Sequence, residues 1–183
     1  FGSNIQKAVR LETVGPERVR LINVAGNTRT RGAEFLLRYK LDDFTFRGSY
    51  VFVDATEPSD FGVGRQRVER TPRHAAGFIA MWEKEGKAKL GFETYYTGKQ
   101  RLEDNPYRSE SRPYFEMGLM GQITFGQFTL FMNAENLLNV RQTKYDPLLL
   151  PQRAPDGRWT VDVWAPTDGF VLNGGIRVKL GSG

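Results

Sequence analysis

The residue types that usually carry chemistry are scarce in this sequence. It has no cysteine, which excludes disulfides, thiolate nucleophiles and sulfur-ligated metals. Its one histidine, His74, has no cysteine partner and is a poor start for a metal site. It reads as a structural residue at the beginning of a strand. Glu83 and Glu85 are spaced like an acid–base pair, but they flank a tight turn and read as solvated. The aspartates Asp54, Asp60, Asp104, Asp146, Asp156, Asp162 and Asp168 fall in connecting segments and could offer oxygen to calcium. Their spacing matches no compact calcium loop, and turn chemistry accounts for them better. No catalytic constellation emerges, so no enzyme activity and no cofactor are expected. The densest polar cluster is Asn133, Glu135, Asn136 and Asn139, inside "FTLFMNAENLLNVRQTKYDP" (Phe128–Pro147). It sits where an alternating strand gives way to a long irregular region. It reads as a strand-to-loop transition, because asparagine tolerates bends and supplies partners for backbone groups that leave the ladder.

The elements that must position these residues are strands. Period-two alternation dominates. "GAEFLLRYKL" sets Phe35, Leu37, Tyr39 and Leu41 against Glu34, Arg38 and Lys40. "FTFRGSYVFV" sets Phe44, Phe46, Tyr50 and Phe52 against Thr45, Arg47 and Ser49. "AKLGFETYYT", "YFEMGLMGQITF" and "FVLNGGIRVKL" alternate in the same way, and stretches near Ile5–Leu11 and His74–Glu83 do so more loosely. With Phe128–Glu135 this predicts about eight antiparallel strands and no amphipathic helix. Tight turns are expected at Leu41–Phe44, Glu83–Ala88 and Phe125–Phe128. Long connections are expected at Asp54–Arg73, Thr97–Pro113 and Asn139–Gly169, and a moderate one at Glu12–Arg18. Short and long connections alternate, so all the long ones leave from one end of the sheet.

Length and composition narrow the class. A chain of 183 residues can form one substantial domain. The net charge of +5 is interspersed rather than clustered, so nucleic acid binding is not expected. No stretch approaches the roughly 20 apolar residues of a transmembrane helix. The opening "FGSNIQKAVRLE" lacks the basic-then-apolar pattern of a signal peptide.

Alternation does not say which face points inward. Three features favour apolar outward, toward lipid, in an up-and-down transmembrane β-barrel. The polar faces carry charges and small residues, as a wet lumen would. Phe44, Tyr96, Phe125 and Phe170 place aromatics at strand ends, where an interfacial girdle belongs. Short turns at one end and long loops at the other are the habit of bacterial barrels. The last strand carries Asn173, Gly175, Val178 and Leu180, a pattern that looks like a barrel-assembly signal. "GSG" follows it, so residues 1–180 read as barrel and 181–183 as a tail or scar.

Several segments together resemble the C-terminal part of a TonB-dependent outer-membrane receptor. "GNTRTRGAEFLLRYKL" resembles the family's strand with a Gly-x-Glu step, here Gly32 and Glu34. "ERTPRHAAGF" resembles the proline-then-histidine approach to a later strand. "GFETYYTGKQ" is similar to the strand leading to a surface loop. "FMNAENLLNVRQTKYDP" resembles the Asn-x-Glu-Asn-Leu segment. "WAPTDGFVLNGGIRVKL" resembles the closing segment, although Phe170 follows Gly169 where the family usually has arginine. Barrels of this kind have about 22 strands around a plug. The resemblance therefore implies that about eight strands here are the last part of a larger barrel wall. Neither a plug domain nor a TonB box is readable in the chain.

The resemblance implies TonB-driven uptake of a scarce bulky ligand, such as a ferric siderophore, cobalamin, haem or a glycan, in the outer membrane of a Gram-negative-type bacterium. Its implied partners are outer-membrane lipid, the plug and remaining strands, TonB through an N-terminal region, and the barrel-assembly machinery. Ligand contacts would come from long-loop residues: Arg65, Arg67, Arg101, Tyr107, Arg108, Tyr145, Trp159 and Trp164. Arginine beside aromatics suits an anionic, ring-bearing ligand. The plainer reading of each is loop packing or solvated charge. Two other architectures fit the alternation: a complete eight-stranded outer-membrane barrel with an adhesive or structural role, and a soluble lipocalin-like binder with its apolar face inward.

Overall fold

The structure, a computed structural model, describes residues 1–15, 18–23, 25–59, 63–102, 105–154 and 157–180. It is all-β and antiparallel. The strands are β1 (Gly2–Gln6), β2 (Val9–Gly15), β3 (Arg18–Asn23), β4 (Asn27–Leu41), β5 (Phe44–Pro58), β6 (Arg65–Arg67), β7 (His74–Lys84), β8 (Ala88–Thr97), β9 (Tyr114–Phe125), β10 (Phe128–Glu135) and β11 (Val171–Val178). The main sheet has nine strands in the order β1-β4-β5-β7-β8-β9-β10-β11, with β6 added to the end of β5. Among the described residues β1 ladders only with β4 and β11 only with β10. The sheet is therefore open at both edges.

Three expectations change in detail. The stretch expected as a loose strand and a moderate connection folds as a separate hairpin, β2 with β3. Lys7 adopts φ 52, which ends β1 and lets β2 begin a new pairing. The loop expected from Asp54 starts later, because β5 runs on to Pro58, supported by β6. The hairpin and β6 raise the strand number above the eight read from alternation. The tight turns fall as expected, with Leu41 paired to Phe44, Lys84 to Ala88 and Phe125 to Phe128. Gly126 takes φ +58 at the first position of its two-residue turn, where such hairpins need a left-handed residue.

Register fixes the two faces. Phe35 opposes Tyr50, Phe46 opposes Ala80, Tyr96 opposes Phe115 and Leu130 opposes Ile123. The apolar face is therefore continuous across the sheet, yet it is bare: Phe35 is 61%, Leu90 57% and Ile176 66% exposed. Aromatic rings gather at its two ends. Tyr39, Phe44, Phe46 and Phe78 stack toward the short turns, and Tyr96 meets Phe115 at 4.9 Å toward the long loops.

The polar face is built by lateral complementarity. Gly77 opposes Tyr95, Gly91 opposes Met120, Gly118 opposes Glu93 and Gly175 opposes Phe131. Each large side chain lies over the glycine across from it. A Cβ on Gly175 would sit 2.8 Å from the Phe131 ring, and one on Gly77 3.2 Å from the Tyr95 ring. The face is not wholly polar, since Ile79, Met81 and Met120 line a shallow hollow with Glu93, Asn133 and Glu135.

Almost all the burial lies outside the sheet. Leu102, Val140, Val161, Trp164 and Ala165 are buried, together with Gln100, Ser111, Gln142 and Asp146. All of these belong to the two long connections that follow β8 and β10. The loops thus have a core of their own, while the sheet exposes its apolar side chains.

Candidate functional site

The loops after β8 and β10 pack into one body. Gln142 opens a short 3-10 turn (Gln142–Lys144) and is fully buried. Its Oε1 accepts from the backbone N–H groups of Trp164 (2.8 Å) and Ala165 (3.4 Å), and its Nε2 donates to the Asp162 carbonyl (3.1 Å). Its backbone N–H donates to the Pro166 carbonyl. One side chain thus ties the two ends of the 139–169 loop. From the other loop, Gln100 donates to the Trp164 carbonyl at 3.2 Å. Nothing in the sequence singled out Gln142. A lone glutamine carries no spacing signal, and its value arises only when both loops close on it.

Arg108, Tyr145 and Trp164 come together in that body. Arg108 makes a two-pronged ion pair with Asp146, whose side chain is 4% exposed. The Arg108 guanidinium lies 5.5 Å from the Trp164 ring centre, and Tyr145 packs against Trp164 at 5.9 Å. Arg112 lies over Tyr145 at 5.2 Å. Tyr107 donates its hydroxyl to the Leu149 carbonyl. A second group joins the loop after β5 to the loop after β8: Arg101 pairs with Glu69 at 2.9 Å, and Arg67 lies 3.8 Å from Glu110. Arg65 stands apart from both groups. It donates to Thr56 Oγ1 and to the carbonyls of Thr56 and Asn27. Trp159 is 56% exposed, with its ring outside the loop core.

The structure therefore gathers three of the eight candidate residues into one packed cluster and uses several of their charges internally. Trp164 is 3% exposed, and its Nε1 is buried without a hydrogen-bond partner. Asp146 and Asp162 serve as ion-pair partners, the latter 3.7 Å from both Arg70 and Arg158. Asp60, Asp104, Asp156 and the 181–183 tail lie outside the described residues. Glu83 pairs with Lys89 directly across the β7–β8 ladder at 2.6 Å. His74 accepts or donates a 2.7 Å bond at Nδ1 with the Tyr50 hydroxyl, on the apolar face.

Beneath these loops the polar face carries a hollow of about 520 Å³. Glu93, Glu116, Glu135 and Asp168 line it, with Tyr95 and Asn136. Carboxylates on several sides make it a place for cationic groups rather than anions. Its upper corner is the Asn133–Asn139 cluster. Asn136 and Asn139 both adopt φ 50. The Asn136 side chain donates to the carbonyls of Val140 and Asp168 and accepts from the Val140 N–H. Asn139 accepts from the Phe170 N–H, and a Cβ at Gly169 would lie 2.4 Å from its Oδ1. The cluster bends the chain out of β10 and pins the place where it returns into β11. Asn133 and Asn173 face each other across that ladder with a 3.2 Å bond.

Compared with known proteins, residues 3–137 match the family model for the TonB dependent receptor-like β-barrel. No curated protein matches the sequence. Among solved structures, the ferric-catecholate import receptor Fiu of E. coli superposes with a TM-score of 0.61 at 13% identity, covering 96% of this chain and 24% of Fiu. A mutant ferric enterobactin receptor, PfeA of Pseudomonas aeruginosa, in complex with enterobactin, gives 0.64 at 13% identity, covering 97% of this chain and 28% of PfeA. Another PfeA mutant gives 0.63 at 12% identity, covering 97% and 27%. At such identities the likeness is one of fold. The chain spans about a quarter of the length of these receptors.

Proposed function

The chain belongs to the TonB-dependent receptor-like β-barrel family, and from that premise we propose that it forms part of the wall and outer loops of a transporter for a scarce, bulky ligand. Receptors of this family are transporters rather than enzymes and sit in the outer membrane of Gram-negative bacteria. The observation that carries the reading is the placement of apolar surface. The strands expose a continuous apolar face, while almost all the buried core lies in the long loops at one end. A sheet of this kind is at rest only when lipid covers that face.

In the same proposal the chain is a segment of a larger barrel. Ala33 to Leu41 of β4 is exposed residue by residue and, among the described residues, has a strand neighbour, β5, on one side only. Lipid leaves such backbone groups without partners, so further strands must continue the sheet. The plug and TonB contact then belong to other parts of the receptor, and the barrel-assembly machinery recognises the β11 end, including Asn173, Gly175, Val178 and Leu180.

The ligand class we favour is a ferric siderophore, since the structural neighbours are receptors for such ligands. Within the loops, Trp159 and Arg67 are available for contact, whereas Arg108, Tyr145 and Trp164 act by holding the loop body in place. The test is uptake by cells whose only ferric-siderophore receptor is the full protein. Radiolabelled iron should enter from a ferric catecholate, stop when TonB is deleted, and stop with a protonophore. Entry of cobalamin, haem or a glycan in place of iron would overturn the ligand class. Uptake that continues without TonB would overturn the transport mechanism.

A further inference from the structure

The outward face carries a concentration of arginine just beyond its aromatic end. Arg31 opposes Asp54 on the β4–β5 ladder, two positions and so one same-face row past the pair Ala33–Phe52, and Phe52 itself opposes His74. Arg31 bonds Asp54 at 2.8 Å, and Arg73 lies 3.9 Å from the same carboxylate and 5.5 Å from the centre of the Phe52 ring. Arg29, two residues further along the same face, opposes Thr56 and is exposed. Arg65 reaches Thr56 Oγ1 and two carbonyls, all neutral acceptors. Of these four guanidinium groups, Arg31 and Arg73 share the Asp54 carboxylate, Arg65 meets neutral acceptors and Arg29 is exposed. Two other carboxylates also serve two cations each, Asp162 with Arg70 and Arg158 and Glu110 with Arg67 and Lys99, but both belong to the long loops rather than to the lipid-facing rows of β4 and β5.

We propose that Arg29, Arg31, Arg65 and Arg73 form a binding site for the phosphate of an anionic lipid headgroup in the leaflet that meets the long-loop end of the sheet. The inference rests on the apolar face meeting lipid. Its height is right for the chemistry. At a rise of about 3.4 Å per residue, Arg31 and Arg29 stand one and two side-chain rows past the aromatic ring of Phe52. That is where hydrocarbon ends and phosphate begins. Guanidinium groups bind phosphate oxygens with paired N–H donors and are weakly hydrated, so they keep this affinity at a membrane surface. The Arg31 side chain is 80% exposed even though its Nε and Nη2 both meet Asp54. Phe52 and Tyr50 below it supply the surface on which the first acyl segments lie.

The experiment uses the full receptor in neutral detergent, with native mass spectrometry to count retained lipids. The probes are phosphatidylglycerol, phosphatidylcholine and inorganic phosphate. Phosphatidylglycerol should be retained preferentially. In the triple variant Arg29→Gln, Arg31→Gln, Arg73→Gln its affinity should fall about 100-fold, as three lost surface arginines imply. Asp54→Asn removes the carboxylate that Arg31 and Arg73 share and should raise affinity, which a purely structural ion pair would not do. Equal retention of both lipids, an unchanged triple variant, or an Asp54→Asn variant with unchanged or weakened retention would overturn the site. Binding of inorganic phosphate that phosphatidylglycerol cannot displace would overturn its assignment to lipid. Loss of phosphatidylcholine as well would strike at the lipid-facing reading itself rather than at this site.

Discussion

Gln142 shows how much a neutral side chain can carry. Replacing it with leucine keeps the volume but leaves the Trp164 N–H and the Asp162 carbonyl without their partner. Each buried polar group so orphaned costs about 1–3 kcal/mol. The loop body has a small core, so that loss should open it locally while the strands persist. Limited proteolysis of the Gln142→Leu receptor should cut between residues 140 and 165 at a protease dose that leaves wild type intact, with heat-modifiable mobility of the barrel unchanged. Cleavage identical to wild type would show that the 139–169 loop is held elsewhere, for instance through Asn136 and its bonds to Val140 and Asp168.

At the scale of elements, alternation made the strands legible because one side chain in two is apolar over long runs, as in β4, β5 and β9. It failed where pairing is decided at a distance. Residues 9 to 23 alternate too weakly to announce a hairpin, and β6 is three residues whose one strand partner among the described residues is β5. The loop cluster was half legible. Arginine and aromatic residues marked Arg108, Tyr145 and Trp164, but Asp146 and Gln142 gained their roles only from tertiary closure. Gly175 illustrates a residue with two readings. It lies in the strand expected to signal assembly, and it also makes room for the Phe131 ring. Gly175→Val should reduce the folded, heat-modifiable fraction, at a packing cost of about 1–3 kcal/mol. Adding Phe131→Ala should restore that fraction if packing is the cause. Failure of the second change to rescue the first would assign Gly175 to recognition by the assembly machinery.

The whole molecule inverts the arrangement of a water-soluble domain: its largest apolar surface is outside and its core is in the loops. It also ends in two unpaired sheet edges among the described residues. Residues 1–180 produced alone in detergent should therefore show no heat-modifiable band, whereas the full receptor should show one. A compact, heat-modifiable species from the segment alone would mean that β1 and β11 can meet and close a small barrel. The alternation of faces guards such a wall against one-residue errors, since these would turn charge toward lipid. It is blind to errors of two residues, which return every side chain to its proper face. The glycine-and-large-residue pairs remove that blindness. In the β8–β9 ladder a two-residue slip one way would set Glu93 against Glu116 and Gly91 against Gly118, placing like charges together beside an empty gap. The lumen lining thus works as a vernier, distinguishing alignments that hydrophobicity treats as the same.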